Sequence, residues 1–265
     1  MGVHYPEDID VLVESSRIAR AERIWLFLDY DGTLANFAPT PDDILPDSEL
    51  LELLENLSSH PNIRVAIVSG RRLSHVKALV PLPGVLLSGT YGIEIQIPDE
   101  QDFNQVDYET IRPALNTFKP LWENLIAGRE GFYLEDKGWS LAIHARLAEE
   151  NEAEWVIANA HRIANEEIPL EPFRLLGGHR FIEIGPQLAS KGKAVQYLMD
   201  RFPWAGALPV FIGDDDKDEE AFEVVESLGG IAIIVTPTPR PTFARYRIEN
   251  PAEVRRWLAS ILTQR

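Results

Sequence analysis

Two aspartates, one residue apart, follow directly on an apolar stretch near the start of the chain. Residues 24–28 are all apolar, and Asp29 and Asp31 come next, followed by Gly32 and Thr33. A short apolar run of this kind is typical of a buried parallel strand, and ligands of open α/β sheets bind where such strands end. Because two carboxylates held this closely repel each other, the pair predicts a cation or a positive side chain between them. An Asp-Gly surface turn is the alternative.

A second predicted strand, residues 63–68, also ends in polar residues. Ser69, Gly70 and Arg71 follow it, and the next helix is predicted to begin near Leu73. A hydroxyl and a glycine just before a helix suit phosphate binding by the side chain and the backbone N–H groups. A strand-to-helix turn with a capping serine fits this segment equally well.

A third apolar stretch, residues 208–212, leads through a glycine into an acidic run that begins with Asp214 and includes Asp218. The alternating aspartates are similar to those of a calcium-binding loop. That interpretation fails, since Glu219 stands where the loop needs glycine and Val225 where it needs glutamate. An exposed acidic helix start remains as the alternative for this run.

Lys191 lies at the predicted start of another helix and completes this set of polar groups. Oxygen ligands without clusters of histidine or cysteine favour Mg²⁺ over zinc. A metal ion and a lysine would supply the positive charge that the aspartate pair requires. Carboxylates, a lysine and a serine beside a backbone turn are the components of a phosphoryl-transfer site.

The overall composition limits the class of protein. The chain of 265 residues carries a net charge of -17, which argues against nucleic acid and anionic membranes as partners. It contains no cysteine, so disulfides and thiolate chemistry are excluded. No apolar run approaches the length of a membrane span, and the acidic first residues do not resemble a signal peptide. We therefore expect a cytoplasmic protein, and a monomer.

The predicted elements divide the chain into two domains of different architecture. Outside residues 107–184, buried strands alternate with helices, which predicts an α/β domain with a parallel sheet formed by residues 1–106 and 185–265. Residues 107–184 predict helix–strand–strand twice, with hairpin turns at 136–138 and 177–179. This pattern indicates an inserted α+β domain with an antiparallel sheet.

The four polar segments, in this order, resemble the haloacid dehalogenase superfamily of phosphohydrolases. The chain resembles the trehalose-6-phosphate phosphatases more closely still, through short pieces spread over most of its length. These pieces are Leu28–Leu34, Val68–Arg71, Glu135–Gly138, His144–Arg146, Glu183–Pro186, Lys191–Lys193 and Gly213–Glu219. The resemblance implies a Rossmann-like core with parallel strands and a cap, residues 107–184, that determines substrate specificity.

The resemblance also implies catalytic roles. Asp29 would be the nucleophile that forms an aspartyl-phosphate, and Asp31 would protonate the leaving sugar oxygen and then deprotonate the attacking water. Ser69 and Lys191 would hold the phosphoryl oxygens.

A magnesium site is implied by the same resemblance. Asp29, the backbone carbonyl of Asp31, and Asp214 would hold Mg²⁺, and Asp218 would support it through water. On the same basis a phosphosugar would be bound by residues of the core and the cap, namely Arg71, Glu135, Lys137, Arg146 and Glu183. Considered without the resemblance, Glu135 and Lys137 would be solvated hairpin residues.

Two positions depart from the family pattern. Tyr91 stands where family members usually have histidine, and Lys217 where they usually have threonine. Neither change removes a carboxylate, so both bear on the substrate more than on the reaction. We expect a phosphatase acting on trehalose 6-phosphate. Sucrose phosphate, mannosylglycerate phosphate or another phosphosugar, a phosphomutase reaction, and a non-catalytic phosphosugar-binding module are the alternatives.

Overall fold

The structure, a computed structural model, describes residues 2–9, 17–37, 45–98, 100–168, 171–178 and 180–263. The chain forms two compact units. The core unit comprises Met1–Phe103 with Ser190–Arg265, and the insert unit comprises Asn104–Ala189. The boundaries inferred from sequence were 107 and 184.

The described residues form strands and helices as follows. The strands are β1 (Glu7–Asp8), β2 (Arg23–Leu28), β3 (Ile63–Val68), β4 (Leu86–Gly89), β5 (Glu94–Gln96), β6 (Phe103–Asn104), β7 (Tyr133–Asp136), β8 (Leu141–His144), β9 (Phe173–Gly178), β10 (Phe181–Pro186), β11 (Ala207–Gly213), β12 (Ile231–Val235) and β13 (Tyr246–Ile248). The helices are α1 (Ser48–Ser58), α2 (Leu73–Leu79), α3 (Tyr108–Ile126), α4 (Glu150–Glu167), α5 (Lys191–Arg201), α6 (Glu219–Ser227) and α7 (Pro251–Thr263).

The core unit is built on a nine-stranded sheet in the order β1-β13-β12-β11-β2-β3-β4-β5-β6. The central strand β2 is parallel to both neighbours, with Leu28 opposite Ile67 of β3 and Ile212 of β11. Because these three strands end level with one another, the residues that follow them meet at one edge of the sheet. The pairing of β4 with β5 is antiparallel.

The side chains of β2 fill the core on both faces of the sheet. Leu26 and Leu28 lie in one apolar cluster, while Trp25 and Phe27 lie in the other. A strand buried on both faces needs a continuous apolar sequence rather than an alternating one, which explains the apolar run before Asp29.

The insert unit has a four-stranded antiparallel sheet in the order β7-β8-β10-β9. One face of the sheet carries Leu141, Ile143, Ile182 and Ile184, which share an apolar core with buried residues of α3 and α4. The other face carries the alternate residues, among them charged side chains described below.

The sequence predicts a helix that opens at Asp47 and a last helix with Asn250 as its N-cap, and both predictions are confirmed. The Asp47 side chain caps α1, and Asn250 accepts the N–H of Glu253 at the start of α7. The predicted hairpin between β9 and β10 is confirmed, but Gly177 and Gly178, which the sequence places in its turn, belong to β9 and pair with Ile182 and Phe181. Glycine is uncommon within strands because it contributes no side chain to packing, so two successive glycines predict a turn rather than the end of a strand.

The sequence also predicts a loop marked by Pro39 and Pro41 and a short helix from about Val11 to Arg20, and these two segments lie wholly or partly outside the described residues. The loop marked by Pro39 and Pro41 is not described. Of the helix expected from Val11 to Arg20, the structure describes residues 17–20, which are helical. Among all described helices, none is long and apolar enough to cross a membrane.

Candidate active site

Asp29 begins the site at the end of β2. Its N–H donates to the carbonyl of Ile212 (2.9 Å), which continues the parallel pairing one residue beyond the strand. Gly32 then turns the chain with φ of 78°, and a Cβ there would lie 2.3 Å from Oδ2 of Asp214. Glycine is therefore needed at this position both for its conformation and for the close approach of the acidic loop.

Lys191 supplies a positive charge between two carboxylates. Its Nζ lies 2.7 Å from Oδ1 of Asp29 and 2.6 Å from Oδ1 of Asp218, and all three side chains are buried. Burial alone would lower the pKa of Lys191, but the negative charges of Asp218 and Asp29 raise it well above its usual value. The lysine is therefore held in its charged form.

The acidic run forms a folded loop rather than an exposed helix start. Asp218 is fully buried, and its Oδ2 accepts the N–H groups of Asp214 (3.0 Å) and Asp215 (3.1 Å). A Cβ on Gly213 would lie 2.3 Å from Cγ of Asp218, so this loop can close only over glycine. Asp218 thus fixes the backbone that carries Asp214.

Three carboxylates of the site have the geometry of a cation-binding cluster. Oxygen atoms of Asp29, Asp214 and Asp218 all lie within 4.8 Å of one another. Burial, followed by the charge of Asp29, raises the pKa of Asp214 to about 10, and burial raises that of Asp218 to about 8. Such crowding of negative charge in a buried site fits a hard divalent cation with oxygen ligands. The Asp31 carboxylate is not part of this cluster.

The Asp31 carboxylate is bound by Arg71 instead. Nε of Arg71 lies 2.6 Å from Oδ2 of Asp31, and its Nη2 lies 2.8 Å from Oδ1. The Arg71 N–H also donates to Oγ of the buried Ser69 (3.1 Å). Two parallel hydrogen bonds fix both the position and the plane of a carboxylate. Arg71, expected from the family resemblance to bind substrate, thus orients Asp31 in this structure.

Lys217 pairs with a neighbouring aspartate in the acidic loop. Its Nζ lies 3.0 Å from Oδ2 of Asp215. Burial alone would raise the pKa of Asp215, but the charges of Lys217 and Lys191 and the hydrogen bonds from Lys217 together lower the pKa to about 2. This departure from the family pattern therefore adds a local ion pair beside the site.

A second cluster of charged residues lies in the insert unit. Lys137 donates to Oε2 of Glu183 (2.8 Å), Ser140 donates to Oε1 of the same carboxylate, and Nε2 of His144 lies 2.9 Å from Oε2 of Glu135. Glu183 and Lys137 are buried. The cluster thus joins three of the predicted substrate-binding residues, while Arg146 is exposed in the turn after β8.

Strand register explains how the two glutamates come together. Glu135 and Glu183 lie opposite the same residue, Ala142, from its two sides. The small side chain of Ala142 lies between the two glutamates and is buried. Ser140 and the role of His144 were missed from sequence, because strand pairing over a long separation decides these contacts.

The same family suggested by the motifs is found by comparison with known proteins. The sequence model of one family, described as Trehalose-phosphatase, matches residues 27–252. The chain belongs to the trehalose-phosphatase family. It is therefore a phosphatase that hydrolyses phosphate monoesters, and it has the haloacid dehalogenase-like fold.

Individual members of the trehalose-phosphatase family cover nearly the whole chain. A protein of Oryza sativa subsp. japonica named "Probable trehalose-phosphate phosphatase 3" is 33% identical over 92% of this chain and 70% of its own length. "Trehalose 6-phosphate phosphatase RA3" of Zea mays is 31% identical over 93% of this chain and 72% of its own. The structure of the Candida albicans trehalose-6-phosphate phosphatase C-terminal domain superposes with a TM-score of 0.88 at 20% identity, covering 98% and 99% of the two chains.

Proposed function

We propose that this protein hydrolyses trehalose 6-phosphate to trehalose and phosphate, through an aspartyl-phosphate on Asp29 and with the help of Mg²⁺. The observation that supports this most is the position of Asp29. Its carboxylate lies against Lys191 and within reach of Asp214, while Asp31, two residues on, is oriented by Arg71.

Each side chain of the site has a separate role in the reaction. A carboxylate oxygen of Asp29 bonds to phosphorus as the bond between phosphorus and the sugar oxygen breaks. Asp31 donates a proton to the sugar oxygen. Asp31 then takes a proton from water, which attacks phosphorus and releases phosphate from Asp29. Ser69 and Lys191 bind the phosphoryl oxygens. Mg²⁺, held by Asp29, Asp214 and the carbonyl of Asp31, would supply Lewis-acid stabilisation of the phosphoryl charge, and Asp218 would hold the loop of Asp214.

We propose that the insert unit selects the substrate. We propose that Glu135, Lys137, Arg146 and Glu183 bind hydroxyl groups of the sugar. Charged groups that are already held by one another lose little freedom when a substrate binds, which favours a precise fit.

A phosphate-release assay with Mg²⁺ over a panel of phosphosugars tests the substrate. We expect trehalose 6-phosphate to have the highest kcat/KM, above sucrose phosphate, mannosylglycerate phosphate and glucose 6-phosphate. If another member of the panel is preferred, the substrate is wrong but the chemistry stands. Return of phosphate to the product sugar would instead indicate a mutase.

Magnesium should stabilise the fold more strongly at high pH. The pKa of Asp214 rises on folding from 3.8 to about 10, and that of Asp218 to about 8, so the metal-free folded protein binds protons that the unfolded chain has released. Its free energy of unfolding therefore falls as pH rises between about 4 and about 10. Mg²⁺ binds the ionised carboxylates and relieves this repulsion.

Thermal unfolding with Mg²⁺ and with a chelator measures this effect. The gain in melting temperature from Mg²⁺ should be larger at about pH 9 than at about pH 6, and it should shrink in Asp214→Asn. An equal gain at both pH values would show that these carboxylates do not bind the metal.

Glu135→Gln should weaken recognition of the sugar without affecting phosphoryl transfer. The change removes a negative charge beside His144 while keeping the shape of the side chain. We expect kcat/KM for trehalose 6-phosphate to fall by about 10- to 100-fold, as for loss of a charged hydrogen bond. Hydrolysis of an aryl phosphate, which has no sugar hydroxyls, should stay unchanged.

A matched control for this variant is Glu123→Gln, because Glu123 is an exposed glutamate of the same unit, 3.8 Å from Lys119. Glu123→Gln should change neither the hydrolysis of trehalose 6-phosphate nor that of the aryl phosphate. Equal losses for the sugar phosphate and the aryl phosphate in Glu135→Gln would contradict a role in sugar binding.

A further inference from the structure

A strained turn follows β4 in the core unit. Thr90 and Tyr91 have positive φ of 47° and 54°, and Gly92 follows with 98°. Left-handed backbone is uncommon for residues other than glycine, and two such residues in succession are maintained only where their surroundings fix them. This turn, residues 90–92, lies beside the loop that carries Ser69.

The left-handed conformation directs backbone groups of the turn at two segments of the active site. The Thr90 N–H donates to the carbonyl of Arg71 (2.7 Å), and the Tyr91 N–H donates to that of Ser69 (2.9 Å). On its other side, the Tyr91 carbonyl accepts the N–H of Ser190 (3.0 Å), the residue just before Lys191. The turn therefore joins the loop of Ser69 to the start of α5.

The Tyr91 side chain makes a third contact with the same loop. A Cβ on Gly70 would lie 2.6 Å from the ring of Tyr91, and the tyrosine is buried. The ring thus lies directly against the backbone between Ser69 and Arg71, where any side chain at position 70 would displace it.

Glu94 fixes the turn from the next strand. Its Oε2 accepts the Thr90 hydroxyl (2.7 Å) and the N–H of Leu73 (3.0 Å). Leu73 is the first residue of α2, where an N–H has no partner within the helix, so a carboxylate there is favourable. One carboxylate therefore holds both the strained turn and the helix that follows the Ser69 loop.

We infer that Tyr91 and Glu94 are positioning residues for the phosphatase reaction, which set the spacing between Ser69 and Lys191 around a tetrahedral phosphoryl group. This inference rests on the proposed function, in which these two side chains bind the phosphoryl oxygens. Neither Tyr91 nor Glu94 takes part in the chemical steps. The two residues act through the backbone of the segments that carry the binding groups.

The test compares Glu94→Leu, Glu94→Gln and Tyr91→Ala with the unchanged enzyme. We measure kcat, KM and the inhibition constant of inorganic phosphate, using the phosphosugar that the enzyme hydrolyses best. Glu94→Leu and Tyr91→Ala should lower kcat and raise the inhibition constant, each by about tenfold, since small misplacements of binding groups have effects of this order. Glu94→Gln keeps an acceptor oxygen, so its kcat and its inhibition constant for phosphate should stay close to those of the unchanged enzyme.

Glu226→Leu is the matched control. Glu226 lies in α6 and accepts the N–H of Ala232 (3.1 Å), so its loss also leaves a backbone donor without its carboxylate. It should lower the melting temperature without changing the inhibition constant. If Glu94→Leu behaves in the same way, its role is purely structural and the inference is wrong.

The experiment gives a different result if the proposed function is wrong. In that case the unchanged protein would release no phosphate from any phosphosugar, and the inference would fall with it. If the unchanged protein is active and the variants bind phosphate as tightly as it does, the inference alone is overturned.

Discussion

Asp29→Asn is expected to reduce phosphate release by at least about 10³-fold, because it removes the nucleophile and leaves the rest of the site in place. Asparagine has the shape of aspartate, but its amide does not attack phosphorus. The reduction should appear in kcat for every phosphosugar and for aryl phosphates alike, since all of them need the same first step. Single-turnover assays with Mg²⁺ measure it.

The same variant should not lose stability. Burial, only partly offset by Lys191, raises the pKa of Asp29, so the folded state disfavours its charge. A neutral side chain removes this cost, while Lys191 keeps its ion pair with Asp218. The melting temperature of the metal-free protein should therefore be equal or higher, most clearly at alkaline pH, where the free carboxylate is most ionised.

Asp200→Asn is the appropriate control, because Asp200 is an exposed aspartate of α5 that accepts a hydrogen bond from Gln196. It should have normal activity. If Asp29→Asn is folded and still active, Asp29 is not the nucleophile, and the proposed mechanism must be replaced.

Local sequence was sufficient to predict the elements that carry the site. Continuous apolar runs mark strands buried on both faces, and this holds for β2 and β11 regardless of the rest of the chain. The capping residues Asp47 and Asn250 were equally clear, because a cap depends on residues within one turn. Short strands such as β1, at the edge of the sheet, and its neighbour β13, with only two and three residues, carry no such pattern.

Contacts between distant segments could not be predicted in the same way. The motifs indicated a lysine and an acidic loop, but not that Asp218 would bind both Lys191 and the loop backbone. The left-handed turn at Tyr91 could not be predicted from sequence, for a physical reason. Its conformation is imposed by partners on other segments of the chain, among them the loop of Ser69, the start of α5 and Glu94 of β5, against the preference of the residues themselves.

Lys191→Met is expected to destabilise the protein strongly as well as inactivate it. Lys191 contacts two buried carboxylates, Asp29 and Asp218, and its removal leaves both without a counter-charge. Breaking a buried ion pair from one side costs about 3–5 kcal/mol in free energy of unfolding. Chemical denaturation of the metal-free variant measures this cost.

The loss of stability should depend on pH in a defined direction. Without the lysine, the pKa values of Asp29 and Asp218, already raised by burial, rise further above those of the unfolded chain. The folded variant then binds more protons than the unfolded chain, so its free energy of unfolding falls as pH increases above about 4. The variant should thus be closest to the unchanged protein under acidic conditions.

A double variant separates the effect on folding from the effect on catalysis. Lys191→Met with Asp218→Asn removes one of the two uncompensated charges, while asparagine still accepts the N–H groups of Asp214 and Asp215 through its oxygen. Much of the lost stability should return, but the phosphoryl group would still lack its lysine, and activity should remain absent. Recovery of activity together with stability would show that Lys191 serves the fold alone, because a group that neutralises the phosphoryl charge cannot be replaced by relieving repulsion elsewhere.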